Sequence, residues 1–229
     1  VVRLSEPFIP PAGASRDREP DPVPVDDTAI ASILFTSGTT VNPKAVPLTH
    51  RNLVSNATAL LRVQPIHPSD EMLSVLPIHH AFEFTGGFLV PMVCGATVTY
   101  VEQLKGASIL TAMQATGTTI MLAVPRLLKM FHDSIENGVA ARALPVRLLF
   151  RLLGLVSDWS GHRLGRRLFG SVHRQFGGHI RMLVSGGSSL DPQLFRSFSR
   201  MGFPVYEGYG LTETSPVASI NPVDGTGKL

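Results

Sequence analysis

The sequence predicts an α/β fold of layered, mostly parallel sheets with flanking helices. From about residue 28 onward, short apolar runs of β character alternate with stretches of helical periodicity, the pattern left by strand–crossover–strand units. One such run, Leu183-Val184, passes through Gly186-Gly187 into a well-capped helical stretch. Of the 229 residues 44% are apolar, enough for a sizeable core and too many for a disordered chain.

Residues 1–27 are read as a proline-rich linker or a truncated start. Pro7, Pro10, Pro11, Pro20, Pro22 and Pro24 stand among Asp17, Glu19, Asp21, Asp26 and Asp27, which leaves too little apolar surface to fold alone. The domain proper is expected over 28–229. Its strands are expected at 30–35, 72–76, 97–101, 118–124, 180–184 and 204–206, and its helices near 50–62, 81–93, 105–116, 125–136 and 191–201. The last helix has the clearest signals. Asp191 can cap it, Pro192 suits its first turn, Leu194, Phe195, Phe198 and Met201 share a face, and Gly202 supplies the stop.

Residues 142–178 break the alternation as a helical insertion. Leu148, Leu152, Leu155 and Trp159 recur at helical spacing opposite Arg147, Arg151, Gly154 and Asp158. Leu168, Phe169, Val172 and Phe176 then recur against Arg163, Arg166, Arg167 and Arg174. The region holds seven arginines and one acid. A basic amphipathic pair of this kind can lie on an anionic membrane surface. The preferred expectation is that its apolar sides cover the core and leave the arginines in water, because two broad apolar faces can satisfy each other.

Composition narrows the function. A net charge of +3 does not suggest a nucleic-acid partner. Cys94 is the single cysteine, so no internal disulfide can form, and its apolar neighbours suit a small buried hydrophobe rather than a nucleophile. No signal peptide is visible, and apolar runs are broken before they reach spanning length. The expected location is cytoplasmic, or peripheral to the inner face of the membrane if the 142–178 region makes contact.

Four motifs carry chemistry. Phe35-Thr36-Ser37-Gly38-Thr39-Thr40-Val41-Asn42-Pro43-Lys44 follows an apolar β-like run and gathers four hydroxyls, a glycine and a lysine into one turn, a set that can ring an anion. It lacks the G-K-[ST] pattern of the common phosphate loop. Next, His79 and His80 stand at a strand exit before Phe82, Phe84, Gly86 and Gly87, with no third ligand spaced for a metal. The Ser185-Gly186-Gly187-Ser188 turn would expose backbone N–H groups at the carboxyl end of a strand. Last, Glu207-Gly208-Tyr209-Gly210-Leu211-Thr212-Glu213 frames an aromatic face between glycines and adds a hydroxyl and a hard oxygen donor suited to Mg²⁺. Each could be an ordinary turn or a core-edge histidine when taken alone.

In order and rough spacing these motifs resemble the adenylate-forming (AMP-binding) superfamily of acyl-CoA synthetases, luciferases and nonribosomal adenylation domains. The likeness runs from about Asp26 to Pro222. The wording His80-Ala81-Phe82-Glu83-Phe84-Thr85-Gly86-Gly87 and the arginine-rich insertion resemble long-chain fatty acyl-CoA synthetases, and equally the ligase domains fused to lysophospholipid acyltransferases.

The resemblance implies ATP and Mg²⁺ as cofactors, a fatty acid as substrate and CoA as the acyl acceptor. It implies that Thr36, Ser37, Gly38, Thr39, Thr40 and Lys44 grip the β- and γ-phosphates, and that Gly187, Ser188, Glu207, Gly208 and Tyr209 wall an adenine slot. Thr212 would contact the α-phosphate, Glu213 would hold Mg²⁺, and His80, with His79 beside it, would stand between nucleotide and carboxylate. Phe82, Phe84, Gly86 and Gly87 would begin the acyl pocket. Lys44, Thr212, Glu213 and His80 form the implied catalytic set.

Val41 and Ala45 stand where the family loop usually has glycine, and Val41, being β-branched, implies a weaker phosphate grip or a stiffer loop; Ser188 replaces a common alanine. Family members are more than twice this long, and the chain is read as the central piece of the large domain, inactive by itself. The alternative is a non-catalytic nucleotide- or acyl-binding remnant.

Overall fold

The computed structural model describes residues 2–3, 24–36, 43–101 and 104–221. Among them one sheet has seven strands, β1 (Val2–Arg3), β4 (Glu71–Ser74), β5 (Thr97–Tyr100), β6 (Ile120–Ala123), β7 (Met182–Ser185), β8 (Val205–Gly210) and β9 (Val217–Ile220), in the spatial order β1-β5-β4-β6-β7-β8-β9. β5, β4, β6, β7 and β8 run parallel, and antiparallel β1 and β9 close the edges. A separate antiparallel hairpin joins β2 (Ile30–Thr36) to β3 (Lys44–Thr49).

The central strands are apolar throughout because both of their faces are covered. Every residue of β6 and β7 is buried. Alternation sends Met121, Ala123 and Leu183 to one face, and Ile120, Leu122, Met182 and Val184 to the other. The first face packs on α4 (Gly106–Thr116), α5 (Pro125–Ala140), α8 (Gly170–Gln175) and α9 (Pro192–Arg200), around Phe131, Phe169, Phe176, Phe198 and Phe203. The second face meets Phe82, which follows the β4 exit. α9 is built as its residues suggest. Asp191 accepts from the N–H groups of Gln193 (2.6 Å) and Leu194 (3.2 Å), and Gly202 leaves the helix at φ +81°.

Several elements depart from expectation. β1 lies within the stretch read as linker, because two residues can pair with Thr99 and Tyr100 without a core of their own. β3 was hidden by Pro47, which a two-stranded hairpin tolerates because each strand is an edge. Only one face of that hairpin is covered: Val46 and Leu48 pack on Leu53 of α1 (His50–Val63), while Ile33 and Phe35 stay exposed. β9 has no apolar run to show in a pattern, because Ala218 and Ser219 at its middle are exposed on the sheet edge. The helix expected at 81–93 is α2 (Ala81–Glu83), a π turn over Phe84–Leu89, and α3 (Val90–Cys94).

The insertion corrects the preferred expectation. The stretch from α7 (Gly165–Leu168) through α8 does cover the core with Phe169, Val172 and Phe176. α6 (Leu144–Trp159) is turned the other way. It packs through Phe150, Leu153, Gly154 and Ser157, with the Ser157 hydroxyl donating to the Arg200 carbonyl at 2.6 Å, and leaves Leu148, Leu152, Leu155 and Trp159 exposed. The physical reason is close approach. Gly154 lies against the Arg200 stem, and Asp158 pairs with the Arg200 guanidinium at 2.6 and 2.9 Å, so these two members of the polar stripe face α9 while Arg147 and Arg151 stay exposed.

Candidate active site

The carboxyl ends of β4, β6, β7 and β8 open on one cleft of about 520 Å³. Val75, Leu76 and His80 reach it from the β4 exit, Val124 from β6, Gly186 and Gly187 from β7, and Tyr209, Gly210, Leu211 and Thr212 from the end of β8. This is where parallel α/β sheets hold ligands, since the loops leaving neighbouring strands converge there. The chain thus brings three of its four motifs together around one space.

Each wall has a local cause. Gly187 holds φ +84°, a left-handed conformation that side chains resist, and so turns the chain sharply out of β7. Glu207 does not line the cleft. Its carboxylate accepts the Leu190 N–H at 2.7 Å and ties the far end of the 186–190 turn to β8. Tyr209 is exposed, with Gly208 beneath it in the cleft wall. Thr212 begins a 3-10 turn, Thr212–Thr214, after the strand. Ser188 and Glu213 are exposed nearby and outside the cleft lining.

His79 and His80 sit side by side, ring centroids 4.4 Å apart, in the turn before α2. His80 is the N-cap residue and lines the cleft, whereas His79 does not. Phe82, one turn on, lines both the cleft and a second cavity of about 50 Å³. That cavity lies between the sheet and the 81–94 segment. Leu60, Ile66, Met72, Gly86, Val90, Ile120, Leu122, Met182, Val184 and Ile220 are among its walls, and no polar atom faces its interior. Phe84 and Gly87 turn elsewhere: Phe84 packs with Leu34, Leu53 and Leu89, and Gly87 lies against the Glu83 carboxyl.

Glu83 was not singled out by sequence. It is buried, accepts from the Ser74 hydroxyl at 2.5 Å, and its second oxygen has no partner among the described residues. Burial pushes its carboxyl up to about 7, against the smaller opposing effect of the Ser74 bond.

The hairpin carries the first motif to the same region. Thr36 and Lys44 are register partners at its connected end, and β3 lies against the Thr212–Thr214 turn. Asn56 of α1 fastens this junction by donating to the carbonyls of Val217 (2.8 Å) and Thr214 (3.3 Å). Its partners lie more than 150 residues away, so no local pattern reveals it. Ser37, Gly38, Thr39, Thr40 and Val41 lie outside the described residues. Lys44 is exposed and Thr36 half-buried, and both lie outside the cleft lining. Ala45 sits in β3 opposite Phe35, an extended position that needs no glycine.

Residues 3–228 match the sequence model of a family described as AMP-binding enzyme. The chain belongs to the AMP-binding enzyme family. Among curated relatives, long chain acyl-CoA synthetase 8 of Arabidopsis thaliana is 31% identical over 224 residues, covering 89% of this chain and 31% of the relative. Long-chain-fatty-acid–CoA ligase 5 of Rattus norvegicus is 31% identical over 223 residues, with 90% and 32% covered. The chain therefore spans about a third of the length of the curated relatives it matches. A malonyl-CoA ligase solved with methylmalonyl-CoA and AMP bound superposes at a TM-score of 0.65, 24% identity, and 89% and 37% coverage, which shows the shared fold.

The donor set fits what this family name implies. The open backbone at Gly186-Gly187, the exposed Tyr209 ring and the Thr212 hydroxyl offer a nucleotide a turn, a stacking face and a phosphate donor. Glu213 next to Thr212 is one exposed carboxylate, suited to Mg²⁺ that takes most of its shell from phosphates and water. No group of three or more His, Cys, Asp or Glu residues forms an all-protein metal cage among the described residues.

Proposed function

We propose that the chain carries the adenylating centre of an AMP-forming ligase that activates a fatty acid with ATP and passes the acyl group to CoA. The observation that carries this reading is the pair of cavities that share Phe82 as a wall: a cleft with polar donors at its mouth and, beside it, a space under the 81–94 segment lined almost wholly by apolar side chains. A molecule with a polar head and an apolar tail would find partners for its head in the cleft and the start of an apolar path beyond Phe82. There about 50 Å³ takes the first carbons of the tail, and a longer one requires the 81–94 segment to move. The names of the curated relatives, long-chain acyl-CoA synthetases, support the same substrate class.

In this reading the nucleotide occupies the cleft with its base beside Tyr209 and its α-phosphate at Thr212. Lys44 and the hydroxyls at 36–40 take the β- and γ-phosphates. Mg²⁺ held at Glu213 supplies positive charge to the phosphates. His80 orients the fatty carboxylate, whose oxygen attacks the α-phosphorus. The P–O bond to the β-phosphate breaks, leaving acyl-AMP and pyrophosphate. The CoA thiolate then attacks the acyl carbonyl and releases AMP. Donors fixed before reaction stabilise the charge that builds on the α-phosphate oxygens.

Binding tests this without requiring turnover. A C16 acyl-sulfamoyl-adenosine, a stable mimic of acyl-AMP, should raise the melting temperature of the chain more than 5′-sulfamoyl-adenosine alone. Equal shifts would remove the acyl assignment, and no shift with either would remove the nucleotide assignment.

A further inference from the structure

Among the described residues, the outer side of α6 is an exposed apolar face that the candidate site does not use. Leu144, Leu148, Leu149, Leu152, Leu155 and Trp159 are 53–88% exposed. At about 100° per residue these positions fall on one continuous arc of the helix, with Arg147 and Arg151 along one border. Arg142 precedes the helix and Arg163 follows it, and both are exposed. The only carboxylate on α6, Asp158, is already paired with Arg200 and lies 3.3 Å from His162. Lone surface leucines are ordinary, but five leucines and a tryptophan on one helix face mark an interaction site.

We propose that α6 is an in-plane membrane helix, its apolar face seated in an anionic phospholipid bilayer and its arginines on the headgroups. Charge complementarity selects this occupant. Cations stand at both ends and along one border of the face, and the one carboxylate on α6 is already paired with Arg200, while Glu136 of α5 shares a cavity wall with Arg151 and Gly154 rather than with the leucine face. Two copies of the face would set arginines against arginines in either antiparallel or parallel pairing, since both ends of the helix are positive. An anionic headgroup layer satisfies all of them at once. No helix among the described residues is long and apolar enough to cross a membrane, so the contact is peripheral. The exposed arginines of α7 and α8, Arg167 and Arg174, extend the basic surface beyond α6.

Trp159 is the only tryptophan of the chain, and at 88% exposed it reports directly on the face. Vesicles of phosphatidylcholine with 30% phosphatidylglycerol should blue-shift its emission, and brominated lipid should quench it. Pure phosphatidylcholine should bind at least tenfold more weakly. Leu152→Asp with Leu155→Asp, both at exposed positions, should abolish the shift. Arg147→Glu with Arg151→Glu should weaken binding by about tenfold or more, at roughly fivefold per basic residue. Arg62→Glu with Lys105→Glu removes the same charge elsewhere and should change binding less than twofold. Circular dichroism of each variant reports whether it is folded.

Four results would overturn the proposal. One is no shift with anionic vesicles. Another is equal binding to neutral vesicles, and a third is equal loss in the Arg62/Lys105 variant. The last is Trp159 shielded from acrylamide without lipid, which would mean that a second copy or another segment of the polypeptide covers the face.

Discussion

The ring of Phe82 lies flat against the backbone of Gly186, so that a Cβ added there would sit 2.8 Å from the ring. This contact joins the exit of β4 to the exit of β7 and forms the partition between the cleft and the apolar cavity. Gly186 is glycine for lack of room, since its φ is not in the left-handed range. Gly187 is glycine for its backbone.

Gly186→Ala should therefore act through Phe82. The ring must tilt into one of the two cavities, at about 1–3 kcal/mol for overpacking. Affinity for C16 acyl-sulfamoyl-adenosine should fall about tenfold while that for 5′-sulfamoyl-adenosine changes much less. Adding Phe82→Leu should restore much of the loss, because the smaller side chain leaves space for the new methyl. Calorimetric titration of the single and double variants checks this. Failure of rescue would show that the alanine acts on the turn itself.

Glu83 should make stability depend on pH between about 4.5 and 7. Its carboxyl titrates near 7 when folded and near 4.5 in the unfolded chain, so across that window the folded state holds the extra proton. The associated stability is complete below 4.5, falls as pH rises, and is lost above 7, on the order of 3 kcal/mol in all. Glu83→Gln removes this titration, so its unfolding free energy should be flatter from pH 4.5 to 7.5 and exceed that of the wild type at pH 8. Urea unfolding followed by circular dichroism at several pH values distinguishes this from two parallel profiles.

The parts of this chain legible in its sequence are those whose signals are local. Ile120-Met121-Leu122-Ala123 is apolar at every position because both faces are covered, and Asp191-Pro192 announces a helix start. The alternation of such segments was enough for the sheet and for the cluster of motifs at its carboxyl end. Helical spacing on α6 told which residues share a face, but not which way the face points. That was decided by Gly154 and Asp158 meeting Arg200, a contact 42 residues away for Asp158. Family resemblance assigns Glu207 to the wall of an adenine slot, and the bond its side chain makes cannot be read locally. Its partner is an N–H 17 residues earlier. Phe82 gains its role from Gly186, more than a hundred residues on.

The Glu207 carboxylate should matter to the turn rather than to a ligand directly. Glu207→Ala leaves the Leu190 N–H without its acceptor, at about 1–2 kcal/mol, and frees the 186–190 turn. Nucleotide affinity should drop with it. Glu207→Gln keeps a carbonyl oxygen in place and should retain most of both. Equal loss in Ala and Gln would point instead to the negative charge, as in a direct contact. Thermal melts with and without 5′-sulfamoyl-adenosine read the two effects together.

Acid unfolding should depend on Asp70 and Arg181. The Asp70 carboxylate receives the Arg181 guanidinium at 2.5 and 2.7 Å, the His67 N–H at 2.8 Å and the Thr119 hydroxyl at 2.8 Å. Burial alone would raise its pKa, but these bonds outweigh burial and bring it to about 2 from an ordinary 3.8. The folded state thus binds fewer protons than the unfolded chain between those values. Stability from this group is complete above about pH 4 and is lost as pH falls toward 2, on the order of 2 kcal/mol. Asp70→Asn keeps the shape but not the charge, so it should destabilise the chain at pH 7 by at least that amount, because Arg181 loses its ion partner. The gap between variant and wild type should narrow as pH falls below about 4 and close only near pH 2. Denaturant unfolding at pH 7, 4 and 2.5 tests the trend, and a gap that stays constant across that range would show that the Arg181 pair carries no net proton linkage.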